Sequence, residues 1–206
     1  MARTLVIETA TAACSVALID TGAAVALAHE VVGRGHAERL LPMIASLPDG
    51  GRADAILVDC GPGSFTGIRV GIAAARGLGL GWNVPVRGFS SLPLVAGAAF
   101  AADADLDRLA VVLEGGHGEV FMQPFARDPL VATADFASLP PSEAMARLDA
   151  TAVGNGVRFL SQGGRERLPD AADVVLLPPA LIDLPPRPIY GRAPDAKPMA
   201  PGKAGA

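Results

Sequence analysis

Apolar and polar positions change period several times along the chain, and each change predicts an element. Thr4 to Ile7 is a short β-branched and apolar run, the pattern of a strand buried on both faces. Cys14 to Asp20 predicts a second strand and Ala23 to Glu30 a third, with Thr21-Gly22 between them as a hairpin signal. From His36 to Leu47 the period lengthens, and Leu40, Leu41, Ile44 and Leu47 fall on one helical stripe. Pro42 lies in the early part of that helix, which predicts a later start or a kink. Ala55 to Cys60 reads as a fourth strand, Ile68 to Leu80 as a helix of small residues, and Val84 to Phe89 as another short strand. Ser90 or Ser91 then caps a helix that runs to Phe100.

Ala101 to Arg108 breaks the pattern with a polar turn rich in aspartate, and a lobe boundary is placed there. Residues 1–103 form the first lobe, 104–186 a smaller second lobe, and 187–206 a Pro-rich, basic, flexible tail. In the second lobe Leu109 to Leu113 and Glu119 to Phe125 predict a hairpin around Gly115-Gly116-His117-Gly118. Pro141 opens a short helix to Leu148, and Thr151 to Val153 enters Gly154-Asn155-Gly156 as a strand. Val174 to Leu177 reads as another strand. The order of elements predicts an α/β fold with mixed sheets flanked by helices. Both halves open on hairpin strands, which suggests two related lobes, the second reduced, with a cleft between them.

Composition narrows the function classes. Half of the 206 residues are hydrophobic, enough for a sizeable core. A net charge of -4 argues against a broad nucleic-acid surface, and 4% aromatic residues leave few bases a stacking platform. Cys14 and Cys60 both sit in apolar runs, without zinc or disulfide spacing. No signal-peptide pattern and no unbroken apolar run of about 20 residues is read, so the expectation is a cytoplasmic protein.

The densest chemistry lies in Gly61-Pro62-Gly63-Ser64-Phe65-Thr66-Gly67-Ile68-Arg69. A strand leads in and a helix leads out, an arrangement that aims backbone N–H groups at an anion or at another backbone. Gly61, Gly63, Ser64, Thr66 and Gly67 are thus a candidate nucleotide or anion loop. The alternative is a tight turn whose glycines allow positive φ and close packing. No lysine follows, so this is no Walker A loop. Gly154-Asn155-Gly156 is a weaker signal of the same kind. No Ser-His-Asp or Cys-His set can be argued, so no catalytic residue is named. No metal site is expected: His36 has only His29 and His117 to join it.

Several strings resemble the TsaB family, whose members take part in making threonylcarbamoyladenosine in tRNA. They are Leu5-Val6-Ile7-Glu8-Thr9, Ala13-Cys14-Ser15-Val16-Ala17-Leu18, His36-Ala37-Glu38-Arg39-Leu40-Leu41-Pro42, the glycine loop through Arg69, and Gly118-Glu119-Val120-Phe121. The resemblance is dense to residue 125 and thin afterwards. It implies the actin-like ATPase (ribonuclease H-like) fold and a non-catalytic subunit. Such a subunit supports a TsaD-like transferase as a heterodimer, with a TsaE-like ATPase and tRNA joining through the complex and TsaC making the adenylate. A homodimer on the same surface is expected when the partner is missing. No cofactor of its own is implied, only ATP or ADP at a shared interface.

Two departures bear on this expectation. In actin-like ATPases an Asp at the end of the first strand reaches metal and phosphates, and a glycine-bearing turn follows. Here Glu8 and a glycine-free Thr9-Ala10-Thr11-Ala12-Ala13 stand instead, which favours a degenerate site. The TsaD paralogue carries a second histidine one helical turn on, where this chain has Leu40. The partner interface is assigned to His36, Glu38, Leu40, Leu41, Ile44, Arg69, Ala73 and Arg76 on the two first-lobe helices. The competing reading is a stand-alone actin-fold ATPase or transferase.

Overall fold

The structure is a computed structural model that describes residues 3–191. Five strands form the first sheet: β1 (Thr4–Glu8), β2 (Ala13–Asp20), β3 (Ala23–Val31), β4 (Ala55–Asp59) and β5 (Val86–Phe89). Their spatial order is β3-β2-β1-β4-β5, with β1 antiparallel to β2, and β4 parallel to both β1 and β5. Thr21 and Gly22 both take positive φ, the turn that matches strand twist in a two-residue hairpin.

Two helices cover one face of this sheet, α1 (His36–Ser46) and α2 (Phe65–Trp82). Leu5, Ile7, Val16, Leu18, Ile56 and Val58 of the strands pack there with Leu40, Met43, Ile44, Ile68 and Ile72. Pro42 does not delay α1, which runs through it from His36. The proline is exposed, so the carbonyl it leaves without a donor is open to water. Ser64 starts α2 before the expected Ile68, because its Oγ accepts the Gly67 N–H at 3.2 Å.

The opposite face carries Val6, Ala17 and Phe89, buried against Leu94, Ala171, Val174 and Leu177. Leu94 belongs to α3 (Ser91–Ala102), buried at every residue from Ser91 to Phe100 because it lies between two sheets. The second sheet has the order β10-β6-β7-β8, built from β6 (Arg108–Gly116), β7 (Glu119–Ala126), β8 (Val131–Ala132) and β10 (Thr151–Val153). β9 (Ala137–Leu139) also pairs with β7, and α4 (Pro141–Arg147) flanks it. Each sheet mixes parallel and antiparallel pairs and is flanked by helices, as the sequence predicted.

Val174 to Leu177 is not a strand. It falls in a 3-10 turn over Ala171–Leu176, capped by the Asp170 carboxylate on the Ala172 N–H. Residues 187–191 were assigned to the tail, yet they pack. Leu184 exchanges two backbone hydrogen bonds with Gly88 at the β5 edge, and the Ile189 N–H donates to the Cys60 carbonyl at 2.7 Å. The rest of the tail, residues 192–206, lies outside the described residues.

Candidate functional site

The glycine loop is pressed against the turn after β1. The Ser64 N–H donates to the Ala10 carbonyl at 2.6 Å, and Thr9 Oγ1 donates to the Gly67 carbonyl at 2.8 Å. A Cβ on Gly63 would stand 1.9 Å from the Ala10 oxygen, and one on Gly67 2.1 Å from the Thr9 oxygen. A Cβ on Gly71 would meet Thr9 Oγ1 at 2.3 Å. Backbone approaches backbone here, so only glycine fits. Gly61 takes φ +95, another conformation that glycine permits. In the candidate anion loop the Ser64 and Gly67 N–H groups are thus engaged within the chain. Thr66 is exposed on the first turn of α2. Close packing accounts for the glycines.

Two carboxyls end adjacent strands above this loop. Glu8 closes β1 and Asp59 closes β4, one step beyond the paired Ile7 and Val58. Both are fully buried. Glu8 Oε1 accepts the Ala10 N–H at 2.6 Å; Asp59 Oδ1 accepts the Gly61 N–H at 2.6 Å and the Ser91 hydroxyl at 2.9 Å. Their other oxygens, Glu8 Oε2 and Asp59 Oδ2, have no hydrogen-bond partner. Burial pushes Asp59 up to about 7. Burial first, then the Asp59 charge, hold Glu8 well above the usual carboxylate range. Sequence reading named Glu8 but missed Asp59. The signal available was an Asp ending an otherwise apolar parallel strand.

The expected interface residues divide by face. His36 is 3% exposed and its Nε2 donates to the Ala13 carbonyl at 2.9 Å, while Leu40 and Ile44 belong to the core. These three are corrected from surface to interior. Each helical residue advances about 100°, so the stripe Leu40–Leu41 spans two faces. Glu38, Leu41, Arg69, Ala73 and Arg76 are exposed. Leu41 is 53% exposed and Leu80, further along α2, is 86% exposed. Ala37, Pro42, Gly77 and Gly81 of the same helices are exposed as well, and Arg69 and Arg76 share the Ala73–Leu80 side of α2.

Both arginines are held by the chain's own C-terminal segment. Arg69 donates to the Tyr190 hydroxyl at 2.9 Å and lies 3.6 Å over the Phe65 ring, and Arg76 donates to the Pro186 carbonyl at 2.7 Å. Sequence reading missed this strap, because its prolines read as a tail. Cys14 and Cys60 are fully buried, and burial pushes their thiols up to about 11 and about 12. His29 stands with Asp170, Nδ1 to Oδ2 at 3.3 Å. Among the described residues no helix is long and apolar enough to cross a membrane.

Comparisons with known proteins return two names from threonylcarbamoyladenosine synthesis, TsaD and TsaB. Residues 28–133 match the family model of TsaD, tRNA N6-adenosine threonylcarbamoyltransferase. A 134-residue stretch is 39% identical to the tRNA threonylcarbamoyladenosine biosynthesis protein TsaB of Escherichia coli, covering 61% of this chain and 56% of that protein. The TsaB protein of Haemophilus influenzae is 36% identical over 60% of this chain and 54% of its own length, so the match spans little more than half of either relative. An uncharacterised protein of Mycobacterium tuberculosis is 33% identical over 95% of this chain and 94% of its own length. Among solved structures, YeaZ from Pseudomonas aeruginosa superposes with a TM-score of 0.76 at 31% identity, covering 92% of this chain and all of that one.

Proposed function

Since the chain belongs to the TsaB (YeaZ) family of actin-like folds, we propose that it is a non-catalytic subunit in the threonylcarbamoyladenosine modification of tRNA. It docks on a TsaD-like transferase through the exposed face of α1 and α2 and supports that partner's productive shape. Leu41, Ala73 and Leu80 carry the contact, with Glu38 at its rim.

One observation supports the non-catalytic part above others. The Thr9 and Ala10 carbonyls sit where a Cβ on Gly67 or Gly63 would fall, so the turn and the loop leave no gap between them. The Gly61, Ser64 and Gly67 N–H groups are already spent inside the chain, which leaves an anion fewer donors there. ATP or ADP accordingly belongs at an interface shared with the partner, not in this loop. The docking part rests on the exposed apolar side chains Leu41 and Leu80 on the outer sides of α1 and α2.

A drop-out assay tests the reading. Threonylcarbamoyl transfer to tRNA is measured with TsaD, TsaE and TsaC counterparts, with and without this chain, beside the chain's own ATP turnover. Transfer that stops without the chain, with no turnover by the chain alone, is the expected result. Indifference of transfer to the chain removes the role. ATP hydrolysis by the chain alone favours the stand-alone ATPase.

A further inference from the structure

The two buried carboxyls need an account that docking does not give. Glu8 and Asp59 lie side by side at the ends of parallel neighbours, and each keeps one buried oxygen without a donor. Among the described residues no lysine or arginine hydrogen-bonds either carboxyl. The groups that face the pair make two bare charges worse. Asp170, on the turn packed across β1 and β2, adds negative charge toward Glu8, and its Oδ2 stands 3.3 Å from His29 Nδ1. The Cys14 and Cys60 thiols beside the strands stay neutral. Ser15, opposite Glu8 on β2, spends its hydroxyl on Asp170 at 3.3 Å. Two carboxylates buried on adjacent strand ends without a countercharge do not both ionise readily.

We infer that Glu8 and Asp59 share one buried proton, carried on Glu8 Oε2 and donated to Asp59 Oδ2, and that this proton clamps three elements together. The assignment follows from the donors. Asp59 Oδ1 accepts two hydrogen bonds, and its carboxylate faces the N-terminus of α3, which favours an anion. Glu8 accepts only the Ala10 N–H, so it is the acid. The pair thereby ties the turn after β1, through Ala10, to the glycine loop, through Gly61, and to α3, through Ser91. Loss of the proton sets two charges against each other and pushes the turn away from Gly63 and Gly67.

The pH dependence has a definite sign. The folded pair binds a proton that the unfolded chain, with ordinary carboxyls near 4, releases. Stability from the pair is complete below those unfolded values and is lost as pH rises to the pair's own value. Across that window each pH unit raises the unfolding equilibrium constant about tenfold.

The test combines carbon-13 NMR of the two carboxyls with urea unfolding of the full chain at pH 6, 7 and 8. Glu8→Gln keeps the shape: its Oε1 still accepts from Ala10 and its amide supplies the hydrogen to Asp59. We expect a protonated Glu8 at pH 7. The wild-type unfolding constant should rise relative to Glu8→Gln with pH, and exchange of the Ser64 amide should quicken in parallel in the wild type only. A Glu8 resonance of an ionised carboxylate at pH 7 overturns the inference. So does a shift of both resonances on adding magnesium at pH 7, which would make the pair a cation site. If Glu8→Gln does not fold, the wild-type resonances alone decide.

Discussion

Two glycines of α2 set one substitution against itself. Gly67 and Gly77 both lie inside the helix, and alanine improves helix propensity at either by about 1 kcal/mol. Their surroundings differ. A Cβ at 77 meets nothing within 4 Å, whereas a Cβ at 67 stands 2.1 Å from the Thr9 carbonyl oxygen and 3.3 Å from Ser64 Oγ. Ordinary contact is about 3.5 Å, so the turn after β1 must retreat by about 1.4 Å. That retreat strains the Thr9–Gly67 and Ser64–Ala10 hydrogen bonds. Overpacking costs about 1–3 kcal/mol and a lost hydrogen bond about 1 kcal/mol more. After the propensity gain, Gly67→Ala should destabilise by about 2 kcal/mol while Gly77→Ala stabilises by about 0.5–1 kcal/mol. At about 2–4 °C per kcal/mol for a chain of this size, the two melting temperatures should differ by about 5–12 °C. Urea unfolding of both variants beside the wild type reads the difference directly. Two variants within about 0.5 kcal/mol of each other would refute the packing account of the glycine loop.

Leu41→Arg and Leu80→Arg should leave the melting temperature within about 2 °C of wild type and abolish capture of a TsaD counterpart. Leu40→Arg, one residue away but buried, should unfold the chain; a folded Leu40→Arg would contradict the assignment of faces. Cys14 and Cys60 should give no reaction with a thiol reagent at pH 8 in the native protein and two equivalents in denaturant, as their burial and raised values require. Tyr190→Ala should cost about 1 kcal/mol, from its pairing with Phe65 and Arg69, and proteolysis near residue 186 should quicken. Unchanged proteolysis would mean that the strap is held elsewhere.

The first half of the fold was legible because its strands are apolar runs bounded by glycine and polar turns. Val174 to Leu177 shows where the same signal misleads. Val174 and Leu177 are buried while Val175 and Leu176 are 42% and 40% exposed, the i, i+3 spacing of a turn rather than the alternation of a strand. β8 and β9 were missed because two or three residues give no period to read. The helical stripe of α1 was legible as amphipathic, but sequence could not say which edge was core. Leu40 and Ile44 turned inward and Leu41 outward. Asp59 was illegible for a different reason: its significance lies in its neighbour Glu8, distant in sequence and adjacent only once β1 and β4 pair.

The distribution of small residues on α2 bears on the docking face. Gly67, Gly71, Ala75 and Gly79 recur every four residues along the inner side, and all are buried. Their smallness is accounted for within the chain. Gly79 lets Val86 approach, since a Cβ there would stand 2.3 Å from Val86 Cγ2. Gly77 and Gly81 lie on the outer side, with nothing within 4 Å of a Cβ. Each costs the isolated helix about 1 kcal/mol relative to alanine, and no close packing among the described residues offsets it. Helix axes pack at 8–10 Å according to the side chains between them, and small residues permit the closer end of that range. The docking proposed above, with the partner packed closely on this side of α2, is our account of that cost. Gly77→Leu should therefore leave the subunit as stable as Gly77→Ala does, yet weaken TsaD capture far more. Equal capture by both variants would place the partner's closest approach elsewhere on the face.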